Sequence, residues 1–341
     1  MTTTTNTMQA WSQDRYGGPD VLTLTRRDVP QPGAGEVLVR VTATSLNSAD
    51  LRILRGDPLL VRLAYGLRRP RTPVPGRDVA GVVECVGGDV SDLAVGDRVV
   101  GELAGGGLGT HVVAPADKLR RIPDALDDRT AATLPLAGGT AWQALDLAGI
   151  GTDSSEPVDS RTGHRRVLVL GAGGGVGTFA VRLAVLRGAD VHALCSARAI
   201  EAVEALGTAR VDDRSIDLAT LEAASYDAVI DLGGVAPLRS LQRLLRDGGA
   251  LVGVSGGTNP VFGPLGRMLR AAVLSIGSNR PLKSLAAVTK PAITEQLLQL
   301  AASGRLVPVV QQTFTLDAAP DALAQLDAGG VVGKLLVATD A

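Results

Sequence analysis

The sequence predicts an α/β chain of two domains, one mostly β and one a doubly wound parallel sheet. Three observations carry that expectation. The chain has 341 residues, about twice the length of a typical single domain. Its first part carries short β-type runs punctuated by Gly and Pro, whereas its middle alternates apolar runs with amphipathic ones. Between the first of those apolar runs and the helix after it stands a glycine-rich turn, GAGGGVG.

Hydrophobic residues at 45% supply a sizeable core and exclude global disorder. A net charge of −1 and only three Phe, three Tyr and two Trp argue against nucleic acid as a partner. No run is long and apolar enough for a membrane span, so no membrane is expected either. The start, MTTTTNTMQAW, lacks the basic and apolar regions of a signal peptide. Cys85 and Cys195 lie far apart in apolar runs, which fits a reducing cytoplasm rather than a disulfide scaffold.

The elements follow in order. Glu36–Asn47, Asp78–Gly87 and Gly96–Leu103 read as strands of the β domain. After Asp128, TAATLPLAGGTAWQALDLAG takes a helical spacing. VLVLG is then a fully apolar strand, and TFAVRLAVLRG a helix ended by Gly188. DVHALCS, DAVIDLGG and ALVGVSG read as further strands, separated by the helices ARAIEAVEALG and PLRSLQRLLRDGG. Such continuous apolar strands imply a parallel sheet covered on both faces. Ala272–Ser278, AVLSIGS, reads as one more strand at its edge. The tail alternates the helices PAITEQLLQLAASG and AAPDALAQLDAG with the strands VPVVQQTFTL and GKLLVAT. Glu156–Arg166 reads as a polar surface loop. Pro58–Pro75 carries Arg62, Arg68, Arg69 and Arg71 and reads either as a solvated insertion or as an arginine-bearing lid over an acidic or polyoxygenated substrate.

The glycine turn points to a dinucleotide. Ala172, Gly174, Gly175 and Val176 would bring the backbone close to a pyrophosphate facing the N-terminus of the next helix, while Gly177 would let that helix pack on the strand. An NAD site usually places a carboxylate at the end of the following strand, to hold the ribose hydroxyls. Here that end reads Leu194-Cys195-Ser196-Ala197-Arg198, with no acid. Ser196, Arg198 and, from the next strand, Arg214 suit a 2′-phosphate, so the expected cofactor is NADP(H).

Taken together, GEVLVRVTATSLNSADLRILRG, PVPGRDVAGVVECVG, VGDRVVGE, LPLAGGTAW, VLVLGAGGGVGTFAVRLA, CSARAIEAVEALG, YDAVIDLGG and VGKLLV are spread over nearly the full length. They resemble the medium-chain dehydrogenase/reductase superfamily, and most closely its zinc-free quinone oxidoreductase branch with the reticulon-4-interacting-protein-like members. The resemblance implies a GroES-like β domain (residues 1–130 and 281–341) and a Rossmann domain (131–280), with the cofactor in the cleft between them. It places Asn47 and Asp50 beside the nicotinamide, Thr140 near its ribose, and Lys334 within reach of the cofactor. Zinc members carry Cys where this chain has Asn47, and His–Glu where it has Arg77-Asp78, so no metal is expected.

Without a Lewis acid, the resemblance favours hydride addition to a conjugated C=C bond or quinone, including a secondary-metabolism substrate whose enolate closes a ring. A carbonyl or alcohol oxidoreductase and a non-catalytic NADPH-binding protein are the alternatives. Arg52 stands where quinone oxidoreductases often place a Tyr donor, and Tyr65 is a candidate replacement. The expected partners are a small-molecule substrate and a second copy of the chain, paired through the apolar edge at Ala272–Ser278.

Overall fold

The computed structural model describes residues 7–151, 164–254 and 261–339, in two compact units. One unit contains residues 1–136 and 289–341, the other 137–288. The polar loop expected at Glu156–Arg166 lies largely outside the described residues.

In the first unit, β1 (Thr7–Ser12) and β2 (Thr23–Asp28) form an antiparallel ribbon. The long β3 (Glu36–Leu46) follows and runs into α1 (Ser48–Arg55). A short α2 (Val61–Tyr65) occupies the arginine-rich segment. Next come β4 (Asp78–Val86), β5 (Arg98–Glu102), β6 (His111–Pro115), β7 (Leu119–Arg121) and α3 (Asp128–Ala132). Val37, Val39 and Val41 of β3 are buried in one core of this unit, while Leu38 and Leu46 pack in its other core.

The second unit opens with α4 (Gly139–Leu147), β8 (Arg166–Leu170) and α5 (Gly175–Leu186). It continues through β9 (Asp190–Cys195), α6 (Ile200–Glu204), β10 (Arg210–Asp213) and β11 (Tyr226–Asp231). It closes with α7 (Leu238–Leu244), β12 (Leu245–Gly253), α8 (Leu265–Ser275) and β13 (Leu282–Ser284). The sheet order is β10-β9-β8-β11-β12-β13, with every pairing parallel. The order reverses between β8 and β11, which makes their carboxyl ends the topological switch point where such sheets bind ligands.

The chain then returns to the first unit with α9 (Pro291–Ala302), β14 (Val310–Thr315), α10 (Ala319–Ala328) and β15 (Lys334–Ala338). The larger sheet of that unit has the order β14-β15-β3-β4-β5-β7, with β6 also paired to β3. The expected fold class, a GroES-like β unit and a doubly wound Rossmann unit, is what the chain adopts.

One expectation is overturned. AVLSIGS is not an edge strand: its first four residues end α8, and the edge strand is β13, further along the chain. A short apolar run fits either structure, and the residues before it decide the matter. Leu265, Met268, Leu269, Ala272, Val273 and Ile276 fall on one helical stripe, while Ala271 packs with Leu241 and Leu282 in the core. Residues 272–275 are helical and the sheet edge is β13, so edge pairing through residues 272–278 is ruled out; the stripe itself is exposed.

Candidate functional site

The glycine loop is built by the end of β8. Gly171 takes a φ of +82°, a conformation that L side chains rarely adopt. The amides of Gly171 and Ala172 both donate to the Leu194 carbonyl, at 3.0 and 3.1 Å, which ties the loop to β9. A Cβ on Gly177 would lie 2.2 Å from the Gly171 carbonyl oxygen, so that glycine lets α5 press against the turn. A Cβ on Gly174 would meet only the Gly171 oxygen, at 3.5 Å, so the space in front of it is open. No side chain caps α5, and its first turn carries no acid, which leaves the positive end of the helix for an anion. Gly174, Gly175 and Val176 line the partly exposed rim, whereas the Ala172 side chain is buried and its amide already spent. A dinucleotide's phosphates fit this cradle.

Ser196 follows β9 and caps the turn carrying Arg198. Arg214 follows β10, with its amide donating to the Cys195 carbonyl at 2.7 Å. Parallel pairing of β9 with β10 therefore brings Ser196, Arg198 and Arg214 to one end of the sheet, beside the glycine loop. The sequence reading missed Asp213 at this end. Its carboxyl sits below the usual range because the Ser215 hydroxyl and amide hydrogen-bond it, helped by the Ala197 amide. Asp231, at the end of β11, was also missed: it accepts from the Gly234 amide at 2.9 Å and pairs with Arg267 at 2.6 Å. Thr140 is buried in the first turn of α4.

In the first unit, three remote segments meet where β3 ends. Antiparallel pairing sets Asp78 of β4 opposite Ser45, and Leu335 of β15 opposite Leu46. Asn47 caps α1 between them. Its Nδ2 donates to the Ser45 carbonyl at 3.1 Å and to Asp78 at 2.9 Å, while its Oδ1 accepts from Lys334. Lys334, almost fully buried, also donates to the Leu46 carbonyl at 3.0 Å, and its Nζ lies 3.9 Å from Asp78. The other Asp78 oxygen accepts from the Leu136 amide at 2.9 Å. Asp50 accepts from the Asn47 amide at 2.8 Å and from the Arg77 amide at 3.1 Å, so it caps the helix and ties it to the chain entering β4.

Burial dominates the electrostatics of this cluster. Desolvation pushes the Asp78 carboxyl up to about 7 against the pull of Lys334. Asp50 is raised for the same reason, and the Lys334 ammonium is lowered by burial despite both carboxylates. The cluster is thus a buried, hydrogen-bonded support that fixes the Asn47 amide. Of the residues expected at the cofactor, it joins Asn47, Asp50 and Lys334 and adds Asp78, which the sequence named only as standing where zinc members carry Glu. Arg52 is exposed on α1, and Tyr65, half-buried, ends α2. Among the described residues no hydrogen bond joins either of them to the cluster.

The donors here do not suit zinc. An ammonium, an amide and two carboxyls already held by backbone or amide N–H groups occupy the place. Both ring nitrogens of His192 are engaged, by Tyr226 and by Asp212, and those of His111 by Thr110 and Glu84. Among the described residues no three His, Cys, Asp or Glu converge as a metal's ligands would.

Known proteins supply the family context. Residues 33–124 match the alcohol dehydrogenase GroES-like domain, and residues 206–337 match a model described as zinc-binding dehydrogenase. The chloroplast envelope quinone oxidoreductase homolog of Arabidopsis thaliana is 34% identical over 97% of this chain and 98% of its own. The mitochondrial NAD(P)H oxidoreductase RTN4IP1 of Bos taurus is 31% identical over 97% of this chain and 89% of its own. Among solved structures, the quinone oxidoreductase from Coxiella burnetii superposes with a TM-score of 0.82 at 26% identity, covering 98% of this chain and 99% of that one. No helix among the described residues is long and apolar enough to cross a membrane.

Proposed function

The chain belongs to the quinone oxidoreductase-like branch of the medium-chain dehydrogenase/reductase superfamily, and on that premise we propose that it is a zinc-independent, NADPH-dependent reductase of conjugated C=C bonds or quinones. It is an oxidoreductase of that family, and the glycine cradle fits the phosphates of a nicotinamide dinucleotide. The observation that carries the finer reading is the Asn47–Asp78–Lys334 network, which fills with an ammonium and amide hydrogen bonds the place a metal's ligands would need. Acceptors that spread the incoming charge by conjugation suit such a site better than simple alcohols or ketones.

The bound nicotinamide supplies a hydride. The protein's part is to hold and to polarise. Asn47 has both amide hydrogens spent on the Ser45 carbonyl and Asp78, so what it offers is its fixed Oδ1, which could accept from a nicotinamide carboxamide. Asp50 sets the entry of α1. The Arg52 guanidinium is the candidate charge near a developing enolate and the Tyr65 hydroxyl the candidate proton donor. A substrate whose enolate then closes a ring fits the same steps. Turnover on an enone and a quinone, surviving exhaustive chelation, is the expected result. Preference for the matching saturated ketone, or loss of activity with the metal, would move the protein to the alcohol dehydrogenase reading. Stoichiometric cofactor binding without turnover on any acceptor would make it a binding protein.

Cofactor choice is tested at Arg198. With no free carboxylate at the end of β9, NADPH should bind better than NADH, and Arg198→Ala should weaken NADPH by about 10- to 100-fold while leaving NADH nearly unchanged. Equal affinity of the wild type for the two cofactors, measured by fluorescence titration, would defeat the assignment.

A second copy of the chain is also part of the proposal. With residues 272–278 excluded as a paired strand, the support is the exposed stripe Leu265, Met268, Leu269, Val273 and Ile276, which a two-fold axis would bury against itself. Light scattering should give twice the chain mass for the wild type and the single mass for Leu269→Asp/Val273→Asp. A monomeric wild type would contradict it.

A further inference from the structure

A groove of about 810 Å³ lies in the first unit, and it shares no residue with the Asn47 cluster. One wall is a single face of β2: the alternation of the strand delivers Thr23, Thr25 and Arg27 to the groove, with Ser12 of β1 paired opposite Thr23. The other wall is the chain from Arg69 to Pro73, within the arginine-rich segment. The two walls are joined where the Gln13 amide donates to the Pro73 carbonyl at 2.9 Å.

The lining is polar and basic. Arg27, Arg69 and Arg71 all reach it, and among the described residues none of the three has a carboxylate within ion-pair distance. Asp14, the one acid at the rim, lies 3.5 Å from Arg15. Thr25 steadies Arg27, its hydroxyl accepting from Nη2 at 3.3 Å and standing 3.3 Å from the Ser12 hydroxyl. Arg71 is tethered by its amide to the Tyr65 carbonyl at 2.7 Å and by Nη1 to the Ala64 carbonyl at 3.3 Å.

We propose that this groove binds a phosphate monoester of a polyhydroxylated small molecule. Three guanidinium groups offer more N–H donors than the two oxygens of one carboxylate can use, whereas a phosphate dianion presents three terminal oxygens to them. The Thr23 and Ser12 hydroxyls match the hydroxyls of a polyol, and the volume exceeds what a bare phosphate fills. The arginines of the 58–75 segment thereby gain a function separate from the redox chemistry, and the proposal stands whether or not the cofactor assignment does.

Isothermal titration of the full chain with glucose 6-phosphate tests it, with gluconate as a carboxylate of similar body. Glucose 6-phosphate should bind more tightly than gluconate, and its affinity should fall as salt is raised. Arg27→Gln and the double variant Arg69→Ala/Arg71→Ala should each weaken it by about tenfold or more, with thermal melts unchanged because all three side chains are exposed. No binding at about 10 mM ligand would overturn the proposal, since that is weaker than any useful site. So would tighter binding of gluconate, or an affinity that both folded variants retain, which would place the anion elsewhere.

Discussion

Gly174→Val is expected to fold normally and to lose dinucleotide binding by at least about a hundredfold, because the phosphates need the helix N-terminus that the side chain would cover. The two effects separate because Gly174 is the cap of α5, with φ −82° and ψ 176°, extended backbone that valine adopts readily. Its Cβ meets nothing closer than 3.5 Å, so the added methyls project into the open space in front of the turn. Replacing glycine at the cap costs at most about 1 kcal/mol of helix stability. Gly177→Ala makes the contrast: its Cβ would stand 2.2 Å from a carbonyl oxygen, so that variant should lose stability instead. Circular dichroism and an NADPH titration on both variants distinguish the cases. A folded Gly174→Val chain with unchanged affinity would show that the phosphates do not approach this turn.

Lys334→Met is expected to destabilise the first unit by about 3–5 kcal/mol near pH 8, the usual cost of leaving one partner of a buried ion pair alone. The loss should shrink as the pH falls. In the wild type, Asp78 has a folded pKa of about 7, above its unfolded value. The folded state therefore binds more protons than the unfolded one between about pH 4 and 7, and this group's contribution to stability declines as the pH rises through that window. Removing the ammonium pushes the Asp78 value further up, so the decline steepens and continues to higher pH. Below about pH 5 the carboxyl is neutral in both proteins and the penalty is smallest. Trp11 lies in the first unit and Trp142 in the second, so denaturant melts followed by Trp11 in a Trp142→Phe background read the right unit. A destabilisation that did not vary with pH would mean that Lys334 acts by packing alone.

Much of this architecture was legible in the sequence, for identifiable reasons. The parallel sheet announced itself through uninterrupted apolar strands such as VLVL and through the α5 helix ended by Gly188, and the glycine turn sat between the elements its chemistry requires. The helix expected over PLRSLQRLLRDGG stops at Leu244, where β12 already begins. Carboxyl-end residues such as Ser196 and Arg214 followed from strand ends alone. AVLSIGS misled because a short apolar run has no period of its own, and only the stripe beginning at Leu265 reveals the helix. The Asn47 cluster was half legible. Asn47 and Asp50 adjoin in sequence, but Asp78 and Lys334 reach Asn47 across separations of 31 and 287 residues, through β3 pairings that local pattern does not encode. The basic groove had its arginines in plain view, whereas its second wall depends on which face of β2 turns toward them.

Hydride delivery to the β-carbon of a conjugated acceptor is traced by following the hydride itself. The enzyme would be given NADPH carrying deuterium at the transferable position of the nicotinamide, with an enone as acceptor, and the product examined by mass spectrometry and proton NMR. Deuterium at the β-carbon, with the carbonyl intact and a solvent proton at the α-carbon, is the predicted result. Deuterium on the carbonyl carbon of an allylic alcohol would contradict it.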